Sequence, residues 1–302
     1  MNATLLNPSS PQAQEIWDLS LFVFVICALI FLLVVGLLLT IIIRFRHKSK
    51  SQLPRQVMGN TRFEILWTIG PALIVALLAV MTIKTMVGID PPANDRDADL
   101  IITGHQWWWE VHYPQSGVVT ANEIHIPTGK RLLVRLESAD VIHSFWVPAL
   151  NRKMDAIPGH PNYIYLEADA PGLYGGQCTE FCGAQHAKML LRVVAQNETE
   201  FEDWERRQLQ DVSAPNTALA RRGYELYKEK TCLNCHAVNI GPNLNHVASR
   251  TTLASGIIPN SHEMLIQWLR DPQTIKPGAH MPNFQLTTDE VEALAAYLET
   301  LQ

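Results

Sequence analysis

Apolar and polar positions along the chain fall into three regimes. Residues 19–43 carry no charge, and residues 65–83 form a second uncharged run. Each run is long enough to cross a bilayer as an α-helix. Beyond about Gly88 the runs shorten. Leu132, Val134 and Leu136 alternate with Leu133 and Arg135, residues 162–167 and 189–194 are β-rich, and Gly/Pro turns separate them. Several short strands with turn punctuation predict an all-β sandwich. Residues 201–210 read as a short charged helix, and residues 211–216 break the pattern and mark a domain boundary. From there the period is helical over 217–230 and 262–270 and in a terminal helix with Val291, Leu294, Ala295 and Leu298 on one face. Thr287 followed three residues later by Glu290 predicts a capping box at its start.

These regimes divide the 302 residues into an N-terminal segment 1–18, a transmembrane hairpin 19–87, a β domain 88–211 entered through a turn-rich linker at 88–98, and a helical domain 212–302. Charge orients the hairpin. Its connecting loop, 44–64, carries Arg44, Arg46, Lys48, Lys50, Arg55 and Arg62 with no acid before Glu64. The positive-inside bias places that loop in the cytoplasm and both termini on the other side. Residues 1–18 hold Glu15 and Asp18 but no Lys or Arg, so the first span reads as a retained anchor rather than a signal peptide. Residues 88–211 contain 10 Lys/Arg and 18 Asp/Glu, a net of 10 − 18 = −8, whereas 212–302 hold 7 and 8. An acidic outer domain suits a basic soluble partner and argues against nucleic acid.

The chemistry concentrates in residues 178–189, Cys-Thr-Glu-Phe-Cys-Gly-Ala-Gln-His-Ala-Lys-Met, with His143 upstream in Asp-Val-Ile-His-Ser-Phe-Trp. Soft sulfur with imidazole is a ligand set for copper rather than for calcium or magnesium. Cys178 and Cys182, four apart in one loop, can turn both sulfurs toward a common centre, which favours two metals bridged by shared thiolates. A Cys178–Cys182 disulfide would leave His186 and Met189 unexplained, and zinc would leave Met189 unused. Cys27, alone in an apolar run, reads as packing.

A second signature, Cys232-Leu-Asn-Cys235-His236, is the C-x-x-C-H haem c attachment motif, in which two thiols take the haem vinyl groups and the histidine is the proximal ligand. Such attachment happens outside the cytoplasm, in agreement with the charge-derived topology.

The pattern His143…Cys-x-Glu-x-Cys-x3-His-x2-Met resembles the dinuclear copper (CuA) site of cytochrome c oxidase subunit II. The C-terminal stretch, with Ile240-Gly-Pro-Asn-Leu244 and His280-Met281-Pro-Asn after the attachment motif, resembles an all-α class I cytochrome c. The whole chain is thus similar to a bacterial oxidase subunit II with a fused cytochrome c, the caa-type arrangement. The resemblance implies a cupredoxin-like Greek-key sandwich behind the two-helix anchor. It implies copper ligands at Cys178, Cys182, His143, His186, Met189 and the Glu180 carbonyl, and Met281 as axial haem ligand, with His280 the rival. A Met/His pair raises the haem potential. It further implies that the Glu180 side chain helps hold a magnesium ion at the boundary with subunit I, a role suited to a hard oxygen ligand. Trp107, in Gly104-His-Gln-Trp-Trp-Trp109, matches the electron-entry tryptophan, and Glu64 the glutamate at the mouth of a proton pathway. From the residues alone, Glu64 is a solvated helix-start acid favoured by the helix dipole. Three successive tryptophans cannot all point inward on one strand, so at least one of Trp107, Trp108 and Trp109 is expected to be exposed or at an interface. His246 and His262 read as packing or surface residues.

The implied function is that of the electron-entry subunit of a proton-pumping terminal oxidase in the bacterial cell membrane. Its partners would be subunit I, further oxidase subunits, the lipid bilayer and a cytochrome c-like donor. The competing readings are a copper-containing nitric oxide reductase subunit, a nitrous oxide reductase (which would lack the two spans), a membrane-anchored periplasmic copper carrier (which would need no covalent haem) and a quinol oxidase subunit (which would lack the copper ligands).

Overall fold

Two long helices open the structure, a computed structural model that describes residues 6–46, 58–91, 97–238 and 240–302. They are α1, Pro11–Arg44, and α2, Thr61–Ile89. α1 starts well before the uncharged run because local chemistry starts it. The Ala13 N–H donates to Ser10 Oγ at 3.1 Å, and Pro11 brings no N–H that would need a partner in the first turn. At the head of α2 the Arg62 N–H donates to Asn60 Oδ1 at 3.0 Å, and Glu64 lies in the first turn. Large apolar side chains from Leu21 to Val87 are exposed all around both helices, as befits helices solvated by lipid. The start of α1 lies beside the end of α2: a Cβ on Gly88 would come within 2.9 Å of Glu15 Oε2. Of the expected basic loop, Arg44, Arg46 and Arg62 are described, while Lys48, Lys50 and Arg55 lie outside the described residues, as does the linker stretch 92–96.

From Leu100 the chain turns to strands: β1 (Leu100–His105), β2 (Trp108–Tyr113), β3 (Val118–Ala121), β4 (Glu123–Pro127), β5 (Leu132–Ser138), β6 (His143–Trp146), β7 (Met154–Ala156), β8 (Asn162–Leu166), β9 (Gly172–Cys178) and β10 (Leu190–Gln196). They form two five-stranded sheets in the orders β3-β2-β1-β5-β8 and β4-β10-β9-β6-β7. The pairs β1/β5 and β4/β10 are parallel and the others antiparallel. Inward residues of both sheets, among them Ile102, Trp109, Val134, Phe145, Ile164 and Leu191, close one core. Trp109 stands edge-on to Phe145, with ring centroids 5.8 Å apart. The chain passes from the first sheet to the second at Asn122, whose φ of 63° turns it within one residue. The Asn122 side chain accepts from the Trp109 N–H at 2.9 Å.

β9, Gly-Leu-Tyr-Gly-Gly-Gln-Cys, has poor strand propensity, yet it lies between β10 and β6. The reason is space: a Cβ on Gly176 would meet Leu191 Cδ1 and the Trp146 carbonyl at 2.7 Å. Glycine lets the strand that delivers Cys178 lie close to its neighbours.

Helix α3 (Glu198–Gln208) starts at an Asn197/Glu200 capping box and packs Trp204 against Tyr113 and His125, at 5.3 and 4.1 Å between centroids. The C-terminal region contains α4 (Ala218–Glu229), α5 (Leu233–His236), a small hairpin of β11 (Thr252–Leu253) and β12 (Ile258–Pro259), then α6 (His262–Arg270), α7 (Pro272–Ile275) and α8 (Thr288–Leu298). α4 presses on α8 at Gly223, where a Cβ would sit 1.9 Å from the Ala293 carbonyl oxygen. The Thr287/Glu290 capping box forms, and Lys230 pairs with Glu290 at 2.8 Å. The strands and the helical module belong to one compact unit, and residues Gln14–Ile89 form another.

Candidate metal centres

The loop between β9 and β10 is tied shut at its ends. The Cys178 N–H donates to the Met189 carbonyl at 3.0 Å and the Thr179 N–H to the Ser144 carbonyl at 2.9 Å. Inside it, Cys178 Sγ lies 3.8 Å from Cys182 Sγ and 3.9 Å from His143 Nδ1. Cys182 Sγ lies 3.7 Å from His186 Nδ1 and 3.8 Å from Met189 Sδ. The Glu180 carbonyl is 3.3 Å from Cys178 Sγ. One atom each from His143, Cys178 and Cys182 falls within 4.8 Å of the others. The sulfur separation is far beyond the ~2.05 Å of a disulfide, and both cysteines are free. The side-chain donors Cys178, Cys182, His143, His186 and Met189 are soft or borderline, and the buried thioether of Met189 suits copper, not zinc.

The electrostatics suit a bound cation. Cys178 and Cys182 interact so closely that one proton serves both: the hydrogen bond from Cys182 pulls the Cys178 thiol down to about 3, against burial and with help from His143. That same hydrogen bond, with burial, drives Cys182 up. Two thiolates side by side become favourable only when metal charge compensates them. Burial pushes His143 down, but Cys178 and Asp140 outweigh it and hold the imidazole above its ordinary value. His143 Nε2–H donates to Asp140 Oδ1 at 2.8 Å, which leaves Nδ1 facing the sulfurs. Burial raises Asp140, yet the hydrogen bonds from His143 and the N–H groups of Gln106 and Val141 bring it below the usual carboxylate range. Gly104 on β1 makes room for this imidazole, since a Cβ there would sit 2.7 Å from His143 Cδ2.

The second site is an apolar cavity of about 1270 Å³, its open mouth included, lined by Cys232, Cys235, His236 and Met281 together with Leu265 and Trp268. His236 Nδ1–H donates to the Pro242 carbonyl at 2.7 Å, leaving Nε2 for a metal. Burial lowers the pKa of His236 and so favours the neutral, ligating form. Gln273 fixes the wall segment that carries Met281, donating to the carbonyls of Ala279 and Met281 at 2.9 and 2.8 Å. Thiols, an imidazole and a thioether around an apolar slot fit a covalently attached haem. His246 is buried and His262 is exposed and paired with Glu299 at 2.8 Å; neither lines the cavity.

Trp107 lies between the two sites. Its indole N–H donates to the Cys182 carbonyl at 3.0 Å, where Gln106 Nε2 also donates at 2.7 Å. Its own carbonyl accepts from Ser255 Oγ at 2.8 Å and Lys276 Nζ at 3.1 Å, both from the helical module. Its ring lies 4.7 Å from that of His280. All three tryptophans are buried, at 9, 5 and 0% exposure for Trp107, Trp108 and Trp109. Trp109 fills the core. Trp107 and Trp108 are covered at an interface internal to the chain, and both line the haem cavity. Burial, reinforced by Lys188, brings Lys276 down to about 7.

Glu180 is exposed beside Phe181. Glu64 is exposed in the first turn of α2.

Two spans, a soft-metal sandwich and a haem slot facing it define a membrane-anchored electron-transfer subunit. Comparison with known proteins makes the class specific. The model of the cytochrome C oxidase subunit II transmembrane domain matches residues 1–85, that of the subunit II periplasmic domain residues 116–196, and that of cytochrome c residues 220–302. Cytochrome c oxidase subunit 2 of Alkalihalophilus pseudofirmus is 36% identical over 100% of this chain and 91% of its own length. That of Bacillus subtilis is 32% identical over 98% and 91%. The solved periplasmic domain of cytochrome oxidase subunit II from Bradyrhizobium japonicum is 34% identical over 37% of this chain and 95% of its own, with a TM-score of 0.35. The chain belongs to the cytochrome c oxidase subunit II family, in the form with a C-terminal cytochrome c. It carries a CuA-type copper site and a haem c domain on the periplasmic side of two transmembrane helices, and is part of a haem–copper oxidase complex.

Sequence reasoning missed the supporting residues. Asp140, three residues before His143, carried a readable signal, because ligand histidines are commonly oriented by a carboxylate. Gln106 and Lys276 act across long sequence separations and carried none, and Gln273 acts locally on the loop that carries Met281. Asp140→Asn should keep the loop's shape and weaken copper binding about 10–100-fold, as read by chelator competition. Unchanged affinity would show that His143 needs no such anchor.

Proposed function

We propose that this subunit takes electrons from a cytochrome c-like donor at its haem c domain and delivers them through the copper pair to the oxygen-reducing centre of subunit I. The division of labour follows the chain: 1–18 on the outer side, 19–87 anchoring, 88–211 holding copper, 212–302 holding haem. Trp107 supports this reading most directly, because it is bonded to a copper-loop carbonyl and lines the haem cavity. When bound, haem c and dinuclear copper supply reversible one-electron chemistry. Cys232 and Cys235 would hold the haem covalently, and His236 would be one donor to its iron. Met281 would be the other, a role supported by the engagement of its rival His280 with Trp107. Cys178, Cys182, His143, His186, Met189 and the Glu180 carbonyl would together hold the copper pair.

The resemblance extends the proposal to three further roles. Trp107 carries the electron into the copper site, here from the chain's own haem. The exposed Glu180 carboxylate contributes to a magnesium site whose remaining ligands lie on subunit I. Glu64 stands at the mouth of a proton pathway in subunit I. The geometry does not favour a copper carrier: Cys178, Cys182 and Met189 are 4, 3 and 0% exposed, poorly placed for handing metal on.

Purified holoprotein should show a low-spin haem c and a mixed-valence signal from one electron shared by two coppers. A mononuclear copper signal would overturn the copper assignment. Met281→Ala should lower the haem potential by removing the axial thioether, whereas an unchanged potential would transfer that role to His280. Glu64→Gln should slow proton uptake by the assembled oxidase with both metal spectra intact. Loss of copper in that variant would contradict the assignment.

A further inference from the structure

The sandwich and the cytochrome module meet along a polar seam with one carboxylate at its centre. Glu123, the first residue of β4, is 2% exposed. Its Oε1 accepts from the Thr251 N–H at 2.9 Å, Thr251 Oγ1 at 2.6 Å, the Thr252 N–H at 2.9 Å and Thr252 Oγ1 at 2.9 Å. Its Oε2 accepts from the Thr251 N–H at 3.0 Å. All these donors come from the module. A carboxylate removed from water is costly unless donors replace the hydration it loses. Here the module supplies the replacement, through charge-assisted bonds that fix orientation as well as proximity.

The place of this grip matters. Glu123 is the register partner of Arg192 on β10, the strand that leaves the copper loop, and Arg192 Nη1 donates to Thr251 Oγ1 at 3.3 Å. Thr251 and Thr252 lead into the β11–β12 hairpin, whose turn passes through left-handed Ala254 and Ser255, with φ of 53° and 59°. The turn brings Ser255 Oγ to the Trp107 carbonyl, and the Leu190 N–H donates to the Ser255 carbonyl at 3.2 Å. Leu253, Ala254 and Ser255 are themselves wall residues of the haem cavity. The carboxylate thus anchors the segment that joins cavity to tryptophan.

We propose that Glu123 is a positioning residue for electron transfer, holding the 251–255 wall of the haem cavity against Trp107. The inference rests on the reading that electrons cross from haem c to the copper pair. In that step one electron moves, ferrous haem becomes ferric, the copper pair gains the electron, and no bond is made or broken.

The test uses the purified oxidase containing the full chain, with haem c reduced by a ruthenium photoreductant and the copper pair followed by absorbance. Hydrogen exchange at the Thr251 and Thr252 amides is measured on the same samples. Glu123→Ala should raise exchange at both amides by about thirtyfold or more, the scale for truncating a buried hydrogen-bonded charge. It should slow haem-to-copper transfer by about tenfold as the docked population falls. Photoreduction of the haem, both metal spectra and both potentials should stay as in the wild type. Glu123→Gln keeps an acceptor in place of Oε1 and should restore most of the rate. If Glu123→Ala does not assemble, Thr251→Val with Thr252→Val removes the hydroxyl donors from the other side and should slow transfer in the same way. Wild-type rate and protection in either assembled variant would overturn the proposal. No haem-to-copper transfer in the wild type would instead overturn the functional reading beneath it.

Discussion

The arrangement depends on one backbone carbonyl. The oxygen of Cys182 accepts from both the Trp107 indole and the Gln106 amide, and through it the copper loop is joined to the β1–β2 turn. That turn is in contact with the helical module through the Trp107 carbonyl, Ser255 and Lys276. Within this loop two sulfurs lie 3.8 Å apart, and a second thiolate there would be opposed by the charge of the first. The loop's shape is held from outside, by hydrogen bonds to neighbouring strands and by tight glycine contacts. A redox centre gains from this, because a frame set by the surrounding fold need not rearrange when the electron arrives.

Much of the plan was legible in the residue order, and the reasons are physical. Uncharged runs announce membrane helices because lipid penalises every charge, and C-x-x-C-H announces a haem because the attachment chemistry demands that spacing. Helix ends were less legible from hydropathy: α1 starts at Ser10-Pro11, a capping signal that lies outside the apolar run. β9 was not legible at all, since a strand with three glycines among seven residues is formed by close packing against its neighbours and not by propensity. The clustering of His143 with the 178–189 loop was anticipated through resemblance. Gln106 and Glu123, which orient the parts, were not, since their partners are set by contacts far apart in sequence.

The tryptophan triplet shows how a sound rule meets a larger structure. Alternation on a strand forbids three inward neighbours: Trp109 is fully buried in the sandwich core, Trp107 joins the edge of the same cluster, and Trp108 stays outside it. Trp108 stacks on His105, with centroids 4.2 Å apart, and Trp107 precedes the strand in the turn. Their outward faces are covered because the same polypeptide returns more than a hundred residues later to cover them. Fusion of the cytochrome module therefore changes the environment of the sandwich as well as adding a cofactor domain.

That burial has a kinetic consequence. A Trp107 that is 9% exposed offers no landing surface to a visiting protein. On the proposed reading, delivery to copper is first-order, set by a tethered neighbour at high effective concentration and little affected by ionic strength, which screens encounters between exposed charges far more than contacts already made. Dilution of the external donor would starve the haem but not alter the internal hop. The subunit, with one electron held at each of its two centres, would then buffer supply at the mouth of the oxidase, smoothing intermittent delivery into a steadier one.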